Sequence, residues 1–205
     1  MLAAGGDLRP ARILAAYERG IFPWYSAQQP ILWWAPDPRM VLFPSEFNQS
    51  RSLRKVIRNK VYETRVDQAF GETIRACAAP RRSGSDTWLN PVMIESYERL
   101  HADGYGHSVE TYFEGRLVGG LYGLQLGRVF FGESMFSRMA DASKVALARL
   151  VDECRRRDIE VIDCQVASEH LASLGAREVP RGEFAALLRS YARRAPVGAW
   201  AAESA

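Results

Sequence analysis

Between Ile21 and Pro44 the chain spends five of its ten prolines and three of its five tryptophans, and this stretch limits what the chain can fold into. Prolines at 23, 30, 36, 38 and 44 remove backbone donors and fix φ, so no long helix or central strand can run through the segment. Trp24, Trp33 and Trp34 make it too apolar for a flexible linker. The expectation is a rigid, extended piece packed on the rest of the molecule, ending in a short strand around Met40 to Phe43. One helix is expected before it, from Pro10 to Arg19, with Asp7 ahead, Pro10 in the first turn and Gly20 as the stop. Another is expected after it, capped by Ser50, with Leu53, Val56 and Ile57 at helical spacing. Together they form a small N-terminal unit, residues 1–61.

Residues 62–205 read as alternating strands and helices. Strands are expected at Tyr62 to Val66, Ser108 to Phe113, Arg116 to Leu126, Arg128 to Phe131 and Val161 to Gln165. Glu114-Gly115 and Leu126-Gly127 supply hairpin turns. Helices are expected near Asp67 to Ala78, Pro91 to Ala102, Ala142 to Arg157 and Phe184 to Arg194, with a polar loop from Pro80 to Asp86. Hairpins, then a helix, then a further strand give a mixed sheet, so the fold class is α+β (mixed α/β). With 205 residues and 47% hydrophobic content, a real core can form. No run approaches the ~20 apolar residues of a membrane span, and Met1 to Asp7, with no basic segment leading into a long apolar one, are not expected to be a signal peptide. Cys77, Cys154 and Cys164 are too scattered for a metal site or disulfide framework, which points to the cytoplasm.

Net charge is only +3, but its placement is uneven. From Phe47 to Tyr62 there are Arg51, Arg54, Lys55, Arg58 and Lys60 and no acid. A solvated helix face is the ordinary reading of such a run; the missing acids favour a surface that faces phosphates. Arg155-Arg156-Arg157, set among Asp152, Glu153, Asp158 and Glu160, reads instead as a salt-bridged helix exterior.

Several chemistries are disfavoured. His101, His107 and His170 lack metal-site spacing, Gly132-Glu-Ser-Met-Phe136 fails the nucleophile-elbow pattern at its last position, and neither phosphate-cradling glycine motif is present. What remains is polar residues in apolar surroundings. Asp163 and Gln165 alternate on the expected strand Val161 to Gln165, which places both on one face. Burying that carboxylate is costly unless it is paired; a solvated strand end is the alternative. Glu133 lies between Val129-Phe130-Phe131 and Met135-Phe136, residues that suit a pocket wall or plain core.

Gly20-Ile-Phe-Pro-Trp24, Pro30-Ile-Leu-Trp-Trp-Ala-Pro-Asp-Pro-Arg39, Ser50-Arg-Ser-Leu-Arg-Lys55, Gly132-Glu-Ser-Met-Phe-Ser137 and Ile162-Asp-Cys-Gln165 occur in this order. With His107-Ser-Val-Glu110, Val118-Gly-Gly-Leu-Tyr-Gly123, Ala142-Ser-Lys144 and His170-Leu-Ala-Ser-Leu-Gly-Ala176, the chain resembles the leucyl/phenylalanyl-tRNA–protein transferase family. That resemblance implies a GCN5-related N-acyltransferase-like C-terminal domain behind a small N-terminal domain. It implies a cytoplasmic bacterial enzyme moving Leu or Phe from aminoacyl-tRNA to acceptor proteins with N-terminal Arg or Lys, marking them for N-degron-dependent degradation. No cofactor, metal or membrane partner is implied.

By the same resemblance, Gln165 orients the attacking α-amine and Asp163 polarises it, while Glu133 holds the acceptor's ammonium or a polar group of the aminoacyl-adenosine. Trp24 and Trp88 surround the adenosine end; stacking on a base contributes about 1–3 kcal/mol. Phe130, Met135, Leu150 and Ile162 form the pocket for the transferred side chain, and Arg51, Arg54, Lys55 and Arg58 meet the tRNA. A pocket of this kind discriminates by about 1–3 kcal/mol per methylene, so tolerance is expected to extend to Met. An aminoacyl ester is already activated, and orienting the reactants is expected to supply much of the rate, up to about 7–11 kcal/mol.

The chain departs from the family pattern at Leu121, Asn48, Ala35 and Asp141. Members commonly carry a Phe-Pro-rich segment ahead of the Leu2 to Leu8 stretch, so either the start lies upstream or this member is short. A coenzyme A-dependent acyltransferase of the same fold is the alternative enzyme, disfavoured because Glu133 to Asp141 holds no glycine for a pyrophosphate turn. A non-catalytic RNA- or N-degron-binding module is the third reading, and it would not depend on Asp163 or Gln165.

Overall fold

The computed structural model describes residues 1–26, 28–59, 61–79 and 89–200. The N-terminal part holds β1 (Ala3–Ala4), α1 (Pro10–Tyr17), β2 (Phe22–Pro23), β3 (Leu32–Trp34) and β4 (Arg39–Leu42). Pro10 opens α1 and Gly20 follows it with φ +72. The prolines leave room only for strands of two to four residues, and β1, β3 and β2 pair into a small antiparallel sheet. Trp33 is buried in it, its indole donating to the Gly5 carbonyl at 2.9 Å. A short 3-10 turn, Pro44–Glu46, leads to α2 (Arg51–Arg58). Ser50 caps α2, accepting from the Leu53 amide at 3.1 Å. Leu53 is buried and Val56 half-buried, whereas Ile57, expected on the same apolar face, is exposed.

Next come β5 (Glu63–Val66), α3 (Phe70–Ala78), α4 (Pro91–Ala102), β6 (Gly106–Phe113), β7 (Arg116–Leu126) and β8 (Val129–Ser137). The chain then forms α5 (Ala142–Arg156), β9 (Val161–Gln165), α6 (Glu169–Ser173), β10 (Arg177–Val179) and α7 (Arg181–Tyr191). Asn90 caps α4 at 3.1 Å from the Met93 amide. Glu114 and Gly115, both with positive φ, turn β6 into β7 as a primed hairpin requires.

Seven strands form one mixed sheet in the order β10-β4-β9-β8-β7-β6-β5. Only β8 and β9 run parallel; the other neighbours are antiparallel. Arg39–Leu42, the strand that closes the proline-rich segment, thus lies inside the main sheet between β9 and β10. The two faces build two cores by strand alternation. Tyr122, Leu124, Phe131 and Val161 pack with Ile13, Ile74, Met93, Tyr97 and Phe184 from α1, α3, α4 and α7. Leu121, Phe130 and Ile162 pack with Leu147, Leu150, Val151 and Leu53 from α5 and α2. Gly119 is required here, because a Cβ on it would lie 2.6 Å from that of Ala142 in α5.

The triple-arginine segment is not a plain exterior. Glu153 and Arg157 are buried, and Arg149, Arg156 and Arg157 all pair with the Glu153 carboxylate. Arg157 also sits under the Trp200 ring, 4.7 Å from its centre, so the C-terminal segment, unread in the sequence, closes over this pair. Among the described residues no helix is long and apolar enough to cross a membrane.

Candidate active site

A cavity of about 770 Å³ opens where the parallel ladder between β8 and β9 ends, at Phe131 opposite Asp163. Leu121, Met135, Leu147, Leu150 and Ile162 line its apolar side, and Phe22, Pro23 and Trp24 from the proline-rich segment line its mouth. Met135, Leu150 and Ile162, which the resemblance assigned to the side-chain pocket, are among these lining residues. Phe130 does not line it; its ring is fully buried beneath, against α5, and supports the wall instead.

Two β-bulges supply the polar groups. In β8, Ser134 faces Tyr122 and Gly132 faces Gly123, which leaves Glu133 unopposed. Gly123 is needed there, because a Cβ would strike the Phe131 carbonyl and the Phe130 ring. In β9, Gln165 faces Met40 and Asp163 faces Val41, so Cys164 is the extra residue, and Gln165 adopts φ +65. Bulges re-aim side chains at the margins of sites. Here they turn Gln165 onto Glu133, with its side-chain amide donating to Oε1 at 3.1 Å.

The second bulge overturns simple alternation. Ile162, Cys164 and Gln165 line the cavity, whereas Asp163 does not and is completely buried. Its carboxylate accepts from Arg39 Nε at 2.8 Å and from the terminal guanidinium nitrogen at 2.6 Å. It also accepts the Gln165 backbone N–H at 2.9 Å. Of the two sequence readings for Asp163, the buried and paired one holds. Arg39 is as buried as its partner, between the Phe22 and Phe184 rings at 4.8 Å from each.

Glu133 closes a second network. Tyr17 from α1 donates to its Oε1 at 2.7 Å, Tyr97 from α4 donates to Oε2 at 3.0 Å, and the two hydroxyl oxygens are 2.7 Å apart. With the carboxylate ionised, two hydroxyl protons serve three oxygen–oxygen approaches. A proton on Glu133 lets all three become hydrogen bonds. Burial pushes its pKa up from 4.5 to about 7, against the lowering effect of the two tyrosine hydrogen bonds. Burial beside Glu133 in turn raises both tyrosines well above their ordinary range.

Sequence reasoning missed Tyr17, Tyr97 and Arg39. The signal for the tyrosines was present: each stands four residues after a buried apolar residue, Ile13 or Met93, and a buried tyrosine hydroxyl needs a partner. Arg39 gave only the weaker sign of a charge at the edge of an apolar run.

Trp24 lines the cavity and is exposed, with its ring centre 6.1 Å from that of Trp34 and the two rings inclined at 60°. Trp88 and the Pro80 to Asp86 loop lie outside the described residues. Arg51, Arg54, Lys55 and Arg58 are all exposed on α2, without a carboxylate partner among the described residues. His101 and His107 are structural, stacked on Phe70 and Trp200 at 4.3 Å, while His170 stands on the cavity wall. Among the described residues no three His, Cys, Asp or Glu side chains are placed to hold a metal ion.

The family model for leucyl/phenylalanyl-tRNA protein transferase matches residues 41–189, and the model for that family's N-terminal domain matches residues 6–37. A leucyl/phenylalanyl-tRNA–protein transferase of Aromatoleum aromaticum is 55% identical over 206 residues, covering 100% of this chain and 87% of that protein. The transferase of the same name from Nitrosospira multiformis is 58% identical over 189 residues, covering 92% of this chain and 82% of its own length. Among solved structures, a GCN5-related N-acetyltransferase from Kribbella flavida is 10% identical, covers 79% of this chain and 58% of its own, and gives a TM-score of 0.41.

Proposed function

The chain belongs to the leucyl/phenylalanyl-tRNA–protein transferase family, and from that premise we propose how its cavity carries out the transfer. The enzyme joins an amino acid carried on tRNA to an acceptor protein. The acceptor's N-terminal amine, as the free base, attacks the ester carbonyl of leucyl- or phenylalanyl-tRNA. A C–N bond forms, the ester C–O bond breaks, and the ribose oxygen leaves with the proton that the amine gives up. An α-amine with a pKa of about 7.7–8.0 is partly unprotonated near neutral pH, so orientation contributes more than a strong base.

The apolar wall of Leu121, Met135, Leu147, Leu150 and Ile162 receives the Leu or Phe side chain, with tolerance for Met. Trp24 at the mouth stacks on the terminal adenine. The exposed cations of α2 meet the phosphates of the acceptor stem. Gln165, the polar amide aimed into the cavity, orients the attacking amine. Asp163 supports it from behind rather than touching the amine, because its oxygens are already engaged. Glu133 in its ionised form attracts the positive charge of an N-terminal Arg or Lys. The acceptors carry those residues, the product enters N-degron-dependent degradation, and the reaction takes place in the cytoplasm.

The observation that carries this reading is the Gln165 amide, turned by a bulge to the place where the apolar wall meets Glu133. Gln165→Ala tests it. The expected outcome is turnover lowered on the order of 10²-fold with aminoacyl-tRNA affinity retained. Full turnover in the variant refutes the role.

A further inference from the structure

We propose that Arg39 is a positioning residue for the transfer: clamped to both oxygens of Asp163, it fixes the carboxylate that holds the Gln165 backbone, and so aims the Gln165 side chain into the cavity. This rests on the role given to Gln165 above.

Gln165 takes a left-handed backbone, which a non-glycine residue adopts at a cost and keeps only where its surroundings impose it. Part of that setting is backbone: Gln165 pairs with Met40 across the bulge, and the Val166 N–H donates to the Cys164 carbonyl at 2.8 Å, spanning Gln165. The restraint that a side chain adds is the 2.9 Å hydrogen bond from the Gln165 N–H to Asp163 Oδ1. That oxygen also accepts Arg39 Nε at 2.8 Å, while Oδ2 accepts the second arm of the fork at 2.6 Å. A carboxylate held at two points cannot swing, so the amide it anchors is held as well.

The fork is itself fixed. Phe22 comes from the proline-rich segment and Phe184 from α7, and their rings lie 4.8 Å from the guanidinium carbon on either side. Gly20 admits this packing, because a Cβ there would lie 2.8 Å from the Phe184 ring. A buried ion pair of this kind is a poor source of stability, since desolvation offsets the attraction. Its geometric effect on Gln165 is the gain that remains. Lysine cannot reproduce it, having one nitrogen and no planar fork.

The test is a cycle of Arg39→Lys, Gln165→Ala and the double variant, with kcat, KM for leucyl-tRNA and thermal unfolding measured on each. Arg39→Lys keeps the compensating charge and is expected to unfold cooperatively. Its kcat is expected to fall on the order of 10²-fold with KM for leucyl-tRNA unchanged. In the Gln165→Ala background the same change is expected to add little further loss, because its effect passes through a side chain already removed. An unchanged kcat in folded Arg39→Lys overturns the proposal, as does an equal loss in both backgrounds, which marks a general structural role.

Should Arg39→Lys not fold, Asp163→Asn and Asp163→Ala decide the point. Asparagine keeps an acceptor for the Gln165 N–H, so it is expected to retain at least about tenfold more kcat than alanine, in line with the effect of supporting hydrogen-bond partners elsewhere. Equal losses overturn the proposal. The two readings fail separately. Full turnover in Gln165→Ala removes the role of Gln165 itself, whereas loss there with normal Arg39→Lys removes only the role of Arg39.

Discussion

Glu133→Gln should make the protein more stable at high pH while leaving it nearly unchanged in acid. In the unfolded chain this carboxyl titrates near 4.5; in the fold it titrates at about 7, chiefly because it is buried. Between those values the folded state holds the proton that the unfolded state has released. Stability therefore falls as pH rises from 4.5 to 7 and is level beyond. Each unit of displacement corresponds to about 1.4 kcal/mol, so the accumulated loss is about 3 kcal/mol. Glutamine reproduces the protonated form. Its oxygen accepts from Tyr17, and its NH₂ donates to Tyr97, whose hydroxyl is freed to donate to Tyr17. Denaturant unfolding of both proteins across this range gives the difference directly. At about pH 4.5 the two should agree within about 1 kcal/mol, and at about pH 8 the variant should be ahead by about 3 kcal/mol. A difference that does not change with pH refutes the reasoning, because it leaves Glu133 with an ordinary pKa.

Replacing Arg51, Arg54 and Lys55 together with glutamine should weaken aminoacyl-tRNA binding and flatten its salt dependence. The log–log slope should fall by about 0.7–0.9 for each phosphate that is no longer neutralised. Binding measured from low to moderate salt checks this, and an unchanged slope makes α2 an ordinary solvated face. Ser50→Ala should cost about 1 kcal/mol in denaturant unfolding, because the Leu53 amide loses its cap. No measurable cost would mean that packing of Leu53 alone holds the helix.

Local chemistry made much of this molecule legible in its sequence. Ser50 set the start of α2, Glu114-Gly115 set a hairpin, and the helices expected near Pro91 to Ala102 and Ala142 to Arg157 are α4 and α5. The strands β1 to β3 were illegible because elements of two or three residues carry no periodicity. The site followed the same division. Glu133 and Gln165 were visible as polar residues in apolar surroundings, whereas Leu150 and Ile162 came from the family resemblance, and Met135 was named beside Glu133 only as pocket wall or plain core. Asp163 was expected on the same strand face as Gln165 because alternation assumes an unbroken ladder, and the bulge at Cys164 breaks it. Tyr17, Tyr97 and Arg39 come from three separate elements, and only the folded sheet brings them to their partners.

The central claim is that this cavity moves an amino acid from tRNA onto a protein amine. Labelled leucyl-tRNA supplied with a folded protein that begins with Lys tests it most directly. The account predicts one label per acceptor chain, on the N-terminal α-amine, and no transfer when that amine is blocked. A folded enzyme that leaves all of the label on tRNA, or transfers it equally well to the blocked protein, contradicts it.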